Sequence, residues 1–250
     1  LLRPGRKTSV LEKIENIEYT EDPGAGYVAE FTPVQLLSFD ACLRCGRCEE
    51  ACPSVLCGAE YSPKDFIQSL RQIRIETLER PNGNGKHTIP ETLPEHMLWS
   101  CTTCGACMAV CPAFINPVDE VVDLRRYQTL TTGKIPKSVA DTLRNLERSG
   151  NPWGMDPGEK ADWLDGLGVR QLQPGDQVDV LLFLGCALSY DDNNKKVTQS
   201  FINLLEQAGV DFGVLGLDEL CCGDTARRLG HEYIFQTMAE ENIVLFGKVK

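Results

Sequence analysis

The first 150 residues carry apolar positions at helical intervals, separated by polar and proline-containing segments. Three segments place side chains three and four residues apart, which is the spacing of one helical face. They are Phe66, Leu70, Ile73 and Thr77 within Pro63 to Arg80; Val118, Val121, Val122 and Arg125 within Pro117 to Leu130; and Val139, Leu143 and Leu146 within Pro136 to Arg148. A shorter helix is predicted after Pro33, anchored by Leu36, Leu37 and Phe39, and Gly150 stands where a C-terminal cap is expected. No segment before Gly150 has the pattern of a strand.

The pattern changes beyond residue 176. The run "VDVLLFLGC", Val178 to Cys186, is continuously apolar between polar turns, which predicts a strand buried on both faces. An amphipathic helix follows, and "DFGVLGL" predicts a second strand, "CCGD" a turn, and "TARRLGHEYIFQTMAEENIVLF" another helix. The apolar side of the first helix comprises Val197, Phe201, Leu204, Leu205 and Ala208. Strand, helix, strand and helix with short connections favour a parallel α/β unit.

The predicted fold class is therefore α+β, with several domains: a helical domain followed by an α/β domain. We predict a polar N-terminal arm over residues 1–32, with a loop at Glu21 to Gly26, and a helical domain over 33–150 in which "PNGNG", Pro81 to Gly85, forms a turn. Residues 151–176 are predicted to form a linker or docking loop with Trp153 and Trp163 as anchors, and 177–250 the α/β part.

Charge and hydropathy narrow the list of partners. The chain has 36 acidic and 25 basic residues and a formal charge of -11, without a basic block that could follow a phosphate backbone, so nucleic acid is not expected as a partner. No run approaches the roughly 20 apolar residues that span a bilayer. The opening "LLRPGRK", Leu1 to Lys7, has two interpretations: the cytoplasmic end of a transmembrane helix, under the positive-inside tendency, or an ordinary solvated terminus.

Twelve cysteines are the most unusual feature of the composition. Disulfides of a secreted protein are one explanation, but the chain is large for a fold that needs such cross-links and shows no signal peptide. Cysteines at intervals of two and three residues suit a small inorganic centre better. We therefore expect metal ligation in a reducing, cytoplasmic compartment.

Eight of the cysteines form two copies of one motif. "CLRCGRCEEACP", Cys42 to Pro53, and "CTTCGACMAVCP", Cys101 to Pro112, both have the spacing CxxCxxCxxxCP, which is that of bacterial-type [4Fe–4S] sites. In such sites the fourth cysteine ligates the other cluster. The predicted ligand sets are Cys42, Cys45, Cys48 and Cys111 for the first cluster, and Cys101, Cys104, Cys107 and Cys52 for the second. Zinc is the competing metal, although zinc motifs usually pair two CxxC units.

Other residues near the motifs have weaker assignments. Gly46 and Gly105 would let the backbone approach a cluster. Arg44 and Arg47 would raise the potential of the first cluster or simply point to solvent. Cys57 is interpreted as a free or buried thiol. The three histidines, His87, His96 and His231, have no spacing typical of haem or zinc ligation, and no GxGxxG loop indicates a flavin or nicotinamide site.

The segment from Gly185 to Asp224 resembles the cysteine-rich CCG domain of the heterodisulfide reductase family, which also occurs in iron–sulfur subunits of anaerobic glycerol-3-phosphate dehydrogenase and lactate-utilisation proteins. Cys186 is separated from Cys221, Cys222 and Gly223 by 34 intervening residues, and the order of a two-cluster domain followed by a CCG domain also matches. The resemblance implies that Cys186, Cys221 and Cys222 are catalytic and hold a further iron–sulfur cluster, sometimes a non-cubane one. The family motif closes with a CxxC that lies beyond Lys250, so residues 177–250 are interpreted as the first part of the domain, apparently truncated.

The resemblance implies an oxidoreductase that relays electrons through two [4Fe–4S] clusters to or from the CCG site. The expected partners are a flavoprotein or dehydrogenase subunit and a membrane haem or quinone module at the cytoplasmic face. Two other hypotheses stay open: a non-catalytic ferredoxin-type electron-transfer subunit, and a zinc-stabilised interaction protein.

Overall fold

The computed structural model describes residues 11, 14–20, 23–79 and 88–249. The predicted juxtamembrane segment Leu1 to Lys7, the predicted turn Pro81 to Gly85, and His87 lie outside the described residues. Two compact units divide the chain. The first comprises residues 1–134 and 228–230, and the second comprises residues 135–227 and 231–250.

The regular secondary structure described in the first unit is all helical. Its α-helices are α1 (Pro33–Ala41), α2 (Arg47–Glu50), α3 (Pro53–Leu56), α4 (Pro63–Glu79), α5 (Ile89–Thr92), α6 (Glu95–Trp99), α7 (Ala106–Val110) and α8 (Pro117–Arg126). Short 3-10 turns occur at Ile17–Tyr19 and Val28–Glu30, and a π-helical segment, Tyr127–Thr132, continues α8. Thr32 caps α1, and Asn116 caps α8 by accepting N–H bonds from Val118 and Asp119, with proline as the next residue in both helices.

The core of the first unit is built by the apolar faces of α1, α4 and α8. Phe39, Phe66, Leu70, Val121 and Leu124 are all within 1 % of complete burial, and burying each such side chain contributes about 1.5–3 kcal/mol. The predicted faces of α4 and α8 are confirmed except at Thr77, which is exposed. Leu37 is 70 % exposed, so it does not anchor α1 as predicted. Thr77 and Leu37 lie on the outward side of their helices. The helical period alone does not distinguish a core position from a position next to it.

Part of the predicted N-terminal arm packs into this core. Ala25 and Phe31 are buried, and the Ala25 N–H donates to the Asp123 carbonyl at 3.1 Å. A side chain at position 24 would have its Cβ 2.5 Å from the Tyr127 nitrogen, so only glycine fits there. Residues 23–31 are therefore a packed part of the first unit rather than an extended arm.

The second unit contains α9 (Lys137–Ser149), α10 (Pro157–Leu167), α11 (Gly185–Tyr190), α12 (Asp192–Gln207), α13 (Asp224–Arg228, whose last residue belongs to the first unit) and α14 (Glu232–Phe246), with a 3-10 turn at Gly216–Asp218. α9 buries Val139, Leu143 and Leu146 and ends at Gly150 in the left-handed conformation, as predicted. The predicted linker contains α10, whose Leu164 is buried and whose Trp163 packs beside it, whereas Trp153 is 52 % exposed.

The sheet of the second unit is much smaller than the sequence predicts. β1 (Val180–Leu181) pairs in parallel with β2 (Phe212–Gly213), in the register Val180 to Phe212 and Leu181 to Gly213. A further parallel bridge joins Gln171 to Val214. The parallel arrangement is confirmed, but the prediction of a long strand buried on both faces is wrong, because Val180 is 36 % exposed and a helix begins at Gly185.

Two helices also differ from their predictions. The predicted apolar side of α12 is not its buried side: Val197, Phe201 and Leu204 are 46–61 % exposed, while Thr198 and Ile202 are buried. The predicted C-terminal helix is divided into α13 and α14 at Gly230, which has a φ of 85°. That conformation suits glycine and ends a right-handed helix.

Candidate functional site

The two cysteine motifs fold into the same backbone conformation. Gly46 and Gly105 have φ values of 82° and 76° and begin α2 and α7. The residues two positions earlier, Arg44 and Thr103, also have positive φ, at 54° and 53°. A left-handed conformation is uncommon for any residue except glycine and costly for a β-branched threonine, so the strain is a feature of this loop in both copies.

The first motif surrounds a cavity together with the last cysteine of the second motif. The cavity is open to solvent and is lined by Cys42, Cys45, Cys48 and Cys111, with Cys107 also at its wall. Burial, and after it the neighbouring Glu49, Cys42 and Cys111, raise the pKa of the Cys48 thiol to about 11. The crossed set predicted for the first cluster is thus brought together around one cavity.

The second set of cysteines lies deeper, around Tyr61. Burial is the main cause that raises the pKa of the Tyr61 hydroxyl, followed by Cys101, Cys107 and Cys52. Burial, then Cys101, and more weakly Cys104, raise the pKa of the Cys107 thiol to about 12. The predicted members of the second set therefore share one neighbourhood, in which Cys107 and Cys52 are buried and Cys104 is exposed.

The chemistry of both neighbourhoods suits a cationic iron core. Burial and neighbouring thiolates raise the pKa of a thiol, so these cysteines hold their protons when no metal is bound. A coordinating metal lowers that pKa and deprotonates its thiol ligands. The Tyr61 hydroxyl is buried beside Cys101, so it has a donor to offer to a sulfur ligand. The Thr103 N–H already donates to the Cys101 sulfur at 3.4 Å. The donor chemistry of these residues fits iron–sulfur clusters, although no three histidine, cysteine or carboxylate side chains in the described part of the chain converge closely enough to hold a single metal ion.

Two guanidinium groups contact the second motif, and both bind its backbone. Arg125 in α8 donates to the carbonyl oxygens of Leu98, at 2.6 and 3.0 Å, and Cys101, at 2.7 Å. Arg228, within the first unit, donates to the Thr103 carbonyl at 2.9 Å and to its hydroxyl at 2.8 Å. The sequence does contain one indication of a buried role for Arg125, because it is an arginine on an otherwise apolar helical face.

The arginines of the first motif are placed differently. Arg44 and Arg47 are exposed, and the Arg44 Nε donates to the Gln68 side chain at 2.6 Å. Both charges are therefore in contact with water, where screening weakens their effect on a nearby cluster.

In the second unit, three cysteines meet where α11 approaches the CCG turn. The Cys186 and Cys221 sulfurs are 3.4 Å apart, too far for a disulfide, and both are reduced. The hydrogen bond between Cys186 and Cys221 lowers the pKa of Cys186 and raises that of Cys221 to about 11. Cys221 in turn raises the pKa of Cys222. Gly223 has a φ of 77°, and a Cβ there would lie 3.1 Å from Phe235, which explains the glycine of the motif.

The Glu219 carboxylate connects the two segments that carry these cysteines, and Lys160 of α10 forms a buried ion pair with it. Lys160 and Glu219 are 4 % and 5 % exposed, and the Lys160 Nζ lies 3.3 Å from a Glu219 carboxylate oxygen. The same carboxylate accepts hydrogen bonds from the Leu184 and Gly185 N–H groups, at 3.1–3.2 Å. Burial lowers the pKa of Lys160 and raises that of Glu219, while their mutual attraction opposes both shifts. Because Gly185 precedes Cys186 and Glu219 lies two residues before Cys221, this pair holds the cysteines together through the Glu219 carboxylate.

A cavity beside the ion pair is lined by Lys160, Glu219, Tyr190, Cys186 and Cys221, among others. Sequence reasoning gives no signal for Lys160 or Glu219, since they are 59 residues apart. Cys57 is exposed and lines neither described cavity.

Comparison with known families agrees with this geometry. Residues 38–115 match the 4Fe–4S dicluster domain, and residues 180–250 match the cysteine-rich domain of the CCG type. The chain therefore carries a dicluster domain followed by a CCG-type cysteine-rich domain, the order that the resemblance to the heterodisulfide reductase family implies. The dicluster match implies two [4Fe–4S] clusters, and the CCG match implies a further iron–sulfur cluster.

Similar proteins with curated names include three informative ones. The EtfAB:quinone oxidoreductase of Syntrophomonas wolfei is 35 % identical over 94 % of this chain and 37 % of its own length. A probable membrane-anchored ferredoxin of Chromohalobacter salexigens is 37 % identical over 96 % of this chain and 38 % of its own. One subunit of the dihydromethanophenazine:CoB--CoM heterodisulfide reductase of Methanosarcina mazei is 27 % identical over 81 % of this chain and 50 % of its own.

The chain spans between about a third and a half of the length of these relatives. The relatives are iron–sulfur oxidoreductases, subunits of them, or a ferredoxin, which supports the oxidoreductase class for this chain. Among the described residues, no helix is long and apolar enough to cross a membrane.

Proposed function

We propose that this chain is the electron-conducting part of a heterodisulfide-reductase-like oxidoreductase. Cys42, Cys45, Cys48 and Cys111 hold one [4Fe–4S] cluster, and Cys101, Cys104, Cys107 and Cys52 hold the other. The observation that carries the proposal is the cavity lined by three cysteines of the first motif and the last cysteine of the second, with Cys107 at its wall where the two sets adjoin. Each cluster passes one electron at a time.

Cys186, Cys221 and Cys222 hold the further cluster and form the site where electrons leave or enter the chain. Support comes from the 3.4 Å approach of the Cys186 and Cys221 sulfurs and from the cavity beside them. Adjacent cysteines on a tight turn project in different directions, which suits bridging within a cluster better than shared ligation of one ion. The catalytic role of this site, in which substrate exchanges electrons with the cluster, rests on the resemblance to the reductase family.

The redox partners we propose are an electron-transfer flavoprotein and a membrane quinone or haem module, reached at the cytoplasmic face. The names of the Syntrophomonas and Chromohalobacter relatives support a flavoprotein, a quinone and a membrane anchor. We keep the domain boundaries proposed from the sequence, near residues 32, 150 and 176. The compact units of the structure divide elsewhere, at residue 134.

Anaerobic purification followed by iron and acid-labile sulfide analysis tests the cofactor content. The proposal predicts iron and sulfide in equal amounts, with EPR signals of two [4Fe–4S] clusters after reduction. Rapid mixing with a reduced electron-transfer flavoprotein should then bleach the iron–sulfur absorbance. Colourless protein that contains zinc and no sulfide would refute the relay, and a cluster-loaded protein that the flavoprotein does not reduce would refute the partner alone.

A further inference from the structure

Arg125 is a buried cation whose hydrogen bonds all end on carbonyl oxygens. It is 3 % exposed. Its Nε and Nη2 donate to Leu98 and Cys101, its Nη1 donates to the Arg228 carbonyl at 2.8 Å, and its guanidinium lies 5.0 Å from the centre of the Trp99 ring. These bonds fix the guanidinium against the loop that begins the second motif.

The guanidinium has no carboxylate partner within the part of the chain that the structure describes. Burying a charge without a counter-charge costs several kcal/mol, and arginine does not escape this cost by losing its proton. Its bond to the Cys101 carbonyl places the guanidinium on the loop whose cysteines become thiolates when they bind a metal. These thiolates are the negative charge available to balance Arg125.

We propose that Arg125 is the counter-charge of the cluster held by Cys101, Cys104, Cys107 and Cys52, and that it raises the reduction potential of this cluster above that of the other. This proposal rests on the ligand sets proposed above. Reduction adds one negative charge to a cluster, so a fixed positive charge nearby stabilises the reduced form. A buried charge acts more strongly than an exposed one because less water screens it.

The two clusters therefore have the opposite order to the one that Arg44 and Arg47 suggest from sequence. Arg44 and Arg47 are exposed, whereas Arg125 is buried and bonded to the ligand loop itself. With both clusters bound, electrons would pass downhill from the first to the second, so the second cluster would be the one that stays reduced when the chain holds a single electron.

The test is an EPR-monitored redox titration of the cluster-loaded chain and its Arg125→Met variant. We expect the reduction equilibrium of one cluster to shift about tenfold toward the oxidised form, which is about 59 mV for a one-electron couple, while the other cluster changes little. Arg125→Lys keeps the charge but loses the planar fork, so it should restore most of the potential. Arg44→Met is the matched control, an exposed arginine in the other motif, and should leave both potentials close to wild type.

A second measurement stays informative if Arg125→Met fails to fold. In wild-type background, the double variant Cys52→Ala/Cys101→Ala should remove the cluster of higher potential, and Cys42→Ala/Cys111→Ala the cluster of lower potential. Loss of the higher-potential signal in the Cys42 and Cys111 variant would overturn the inference while leaving the relay intact. A wild-type chain without clusters would instead refute the proposed function.

Discussion

The ion pair between Lys160 and Glu219 makes the strongest stability prediction for the second unit. Replacing Lys160 with methionine keeps the length and the packing of the side chain but leaves the Glu219 carboxylate buried without a cation. Replacing Glu219 with glutamine keeps an acceptor for the Leu184 and Gly185 N–H groups but leaves Lys160 without an anion. The double variant removes both charges at once.

Breaking a buried pair from one side typically costs about 3–5 kcal/mol, because the remaining charge is uncompensated. Each single variant should therefore lower the free energy of unfolding by about that amount. The double variant should lose only about 1–2 kcal/mol, since a neutral pair carries no desolvation penalty and replacement of a buried pair is often close to neutral. For a chain of this size, 1 kcal/mol corresponds to about 2–4 °C in the midpoint of thermal unfolding.

Thermal unfolding followed by circular dichroism, on anaerobic cluster-loaded protein, measures the three midpoints against wild type. Arg144→Met is the control, because Arg144 and Asp141 form a surface pair whose removal should change the midpoint little. If the double variant were as unstable as the sum of the two single variants, the pair would not be coupled, and its role in holding Cys186 to Cys221 would be wrong.

Three further results are expected. Gly230→Ala should destabilise the first unit by at least about 1–3 kcal/mol in urea unfolding, because the new Cβ would lie 2.4 Å from the Arg125 backbone. Gly133→Ala is the control: Gly133 also has a positive φ, but nothing lies within 4 Å of a Cβ there, so this variant should cost only about 1 kcal/mol. Burial raises the pKa of Glu120 to about 8, so the native protein binds more protons than the unfolded chain between about pH 4.5 and 8. The free energy of unfolding should therefore fall as pH rises through that range. Glu120→Gln should remove this pH dependence, and an unchanged dependence in the variant would contradict the assignment. Cys57→Ala should keep the full iron and sulfide content, and a loss of iron would make Cys57 a ligand.

Local signals were sufficient for most helices and for the candidate ligands. Apolar residues at helical spacing predicted α4, α8 and α9. The doubled cysteine motif gave two candidate ligand sets, because iron–sulfur ligation places strict demands on spacing, and these sets stay a prediction. The positive φ of Arg44 and Thr103 could not be predicted, since neither residue type favours that conformation.

The remaining differences arise from contacts between distant residues. Lys160 and Glu219 are 59 residues apart in sequence but form an ion pair. Arg125 donates to backbone carbonyl groups, which every residue has, so the sequence pattern does not predict these bonds. In α12 the helical period was right but the choice of buried side was wrong, because Thr198 and Ile202 face the core while Phe201 does not. The Gly230 break was available from sequence, as a glycine inside a helical pattern is a common end point.

The crossed assignment of cysteines is the central claim, and two double variants test it directly. If the sets are crossed, Cys42→Ala/Cys111→Ala removes two ligands from the same cluster, and EPR of the reduced protein should still show one [4Fe–4S] signal from the dicluster domain. Cys42→Ala/Cys52→Ala then removes a ligand from each cluster, and both signals should be lost or strongly reduced. The opposite outcome, one intact cluster in Cys42→Ala/Cys52→Ala and none in Cys42→Ala/Cys111→Ala, would show that each motif binds its own cluster and would contradict the account.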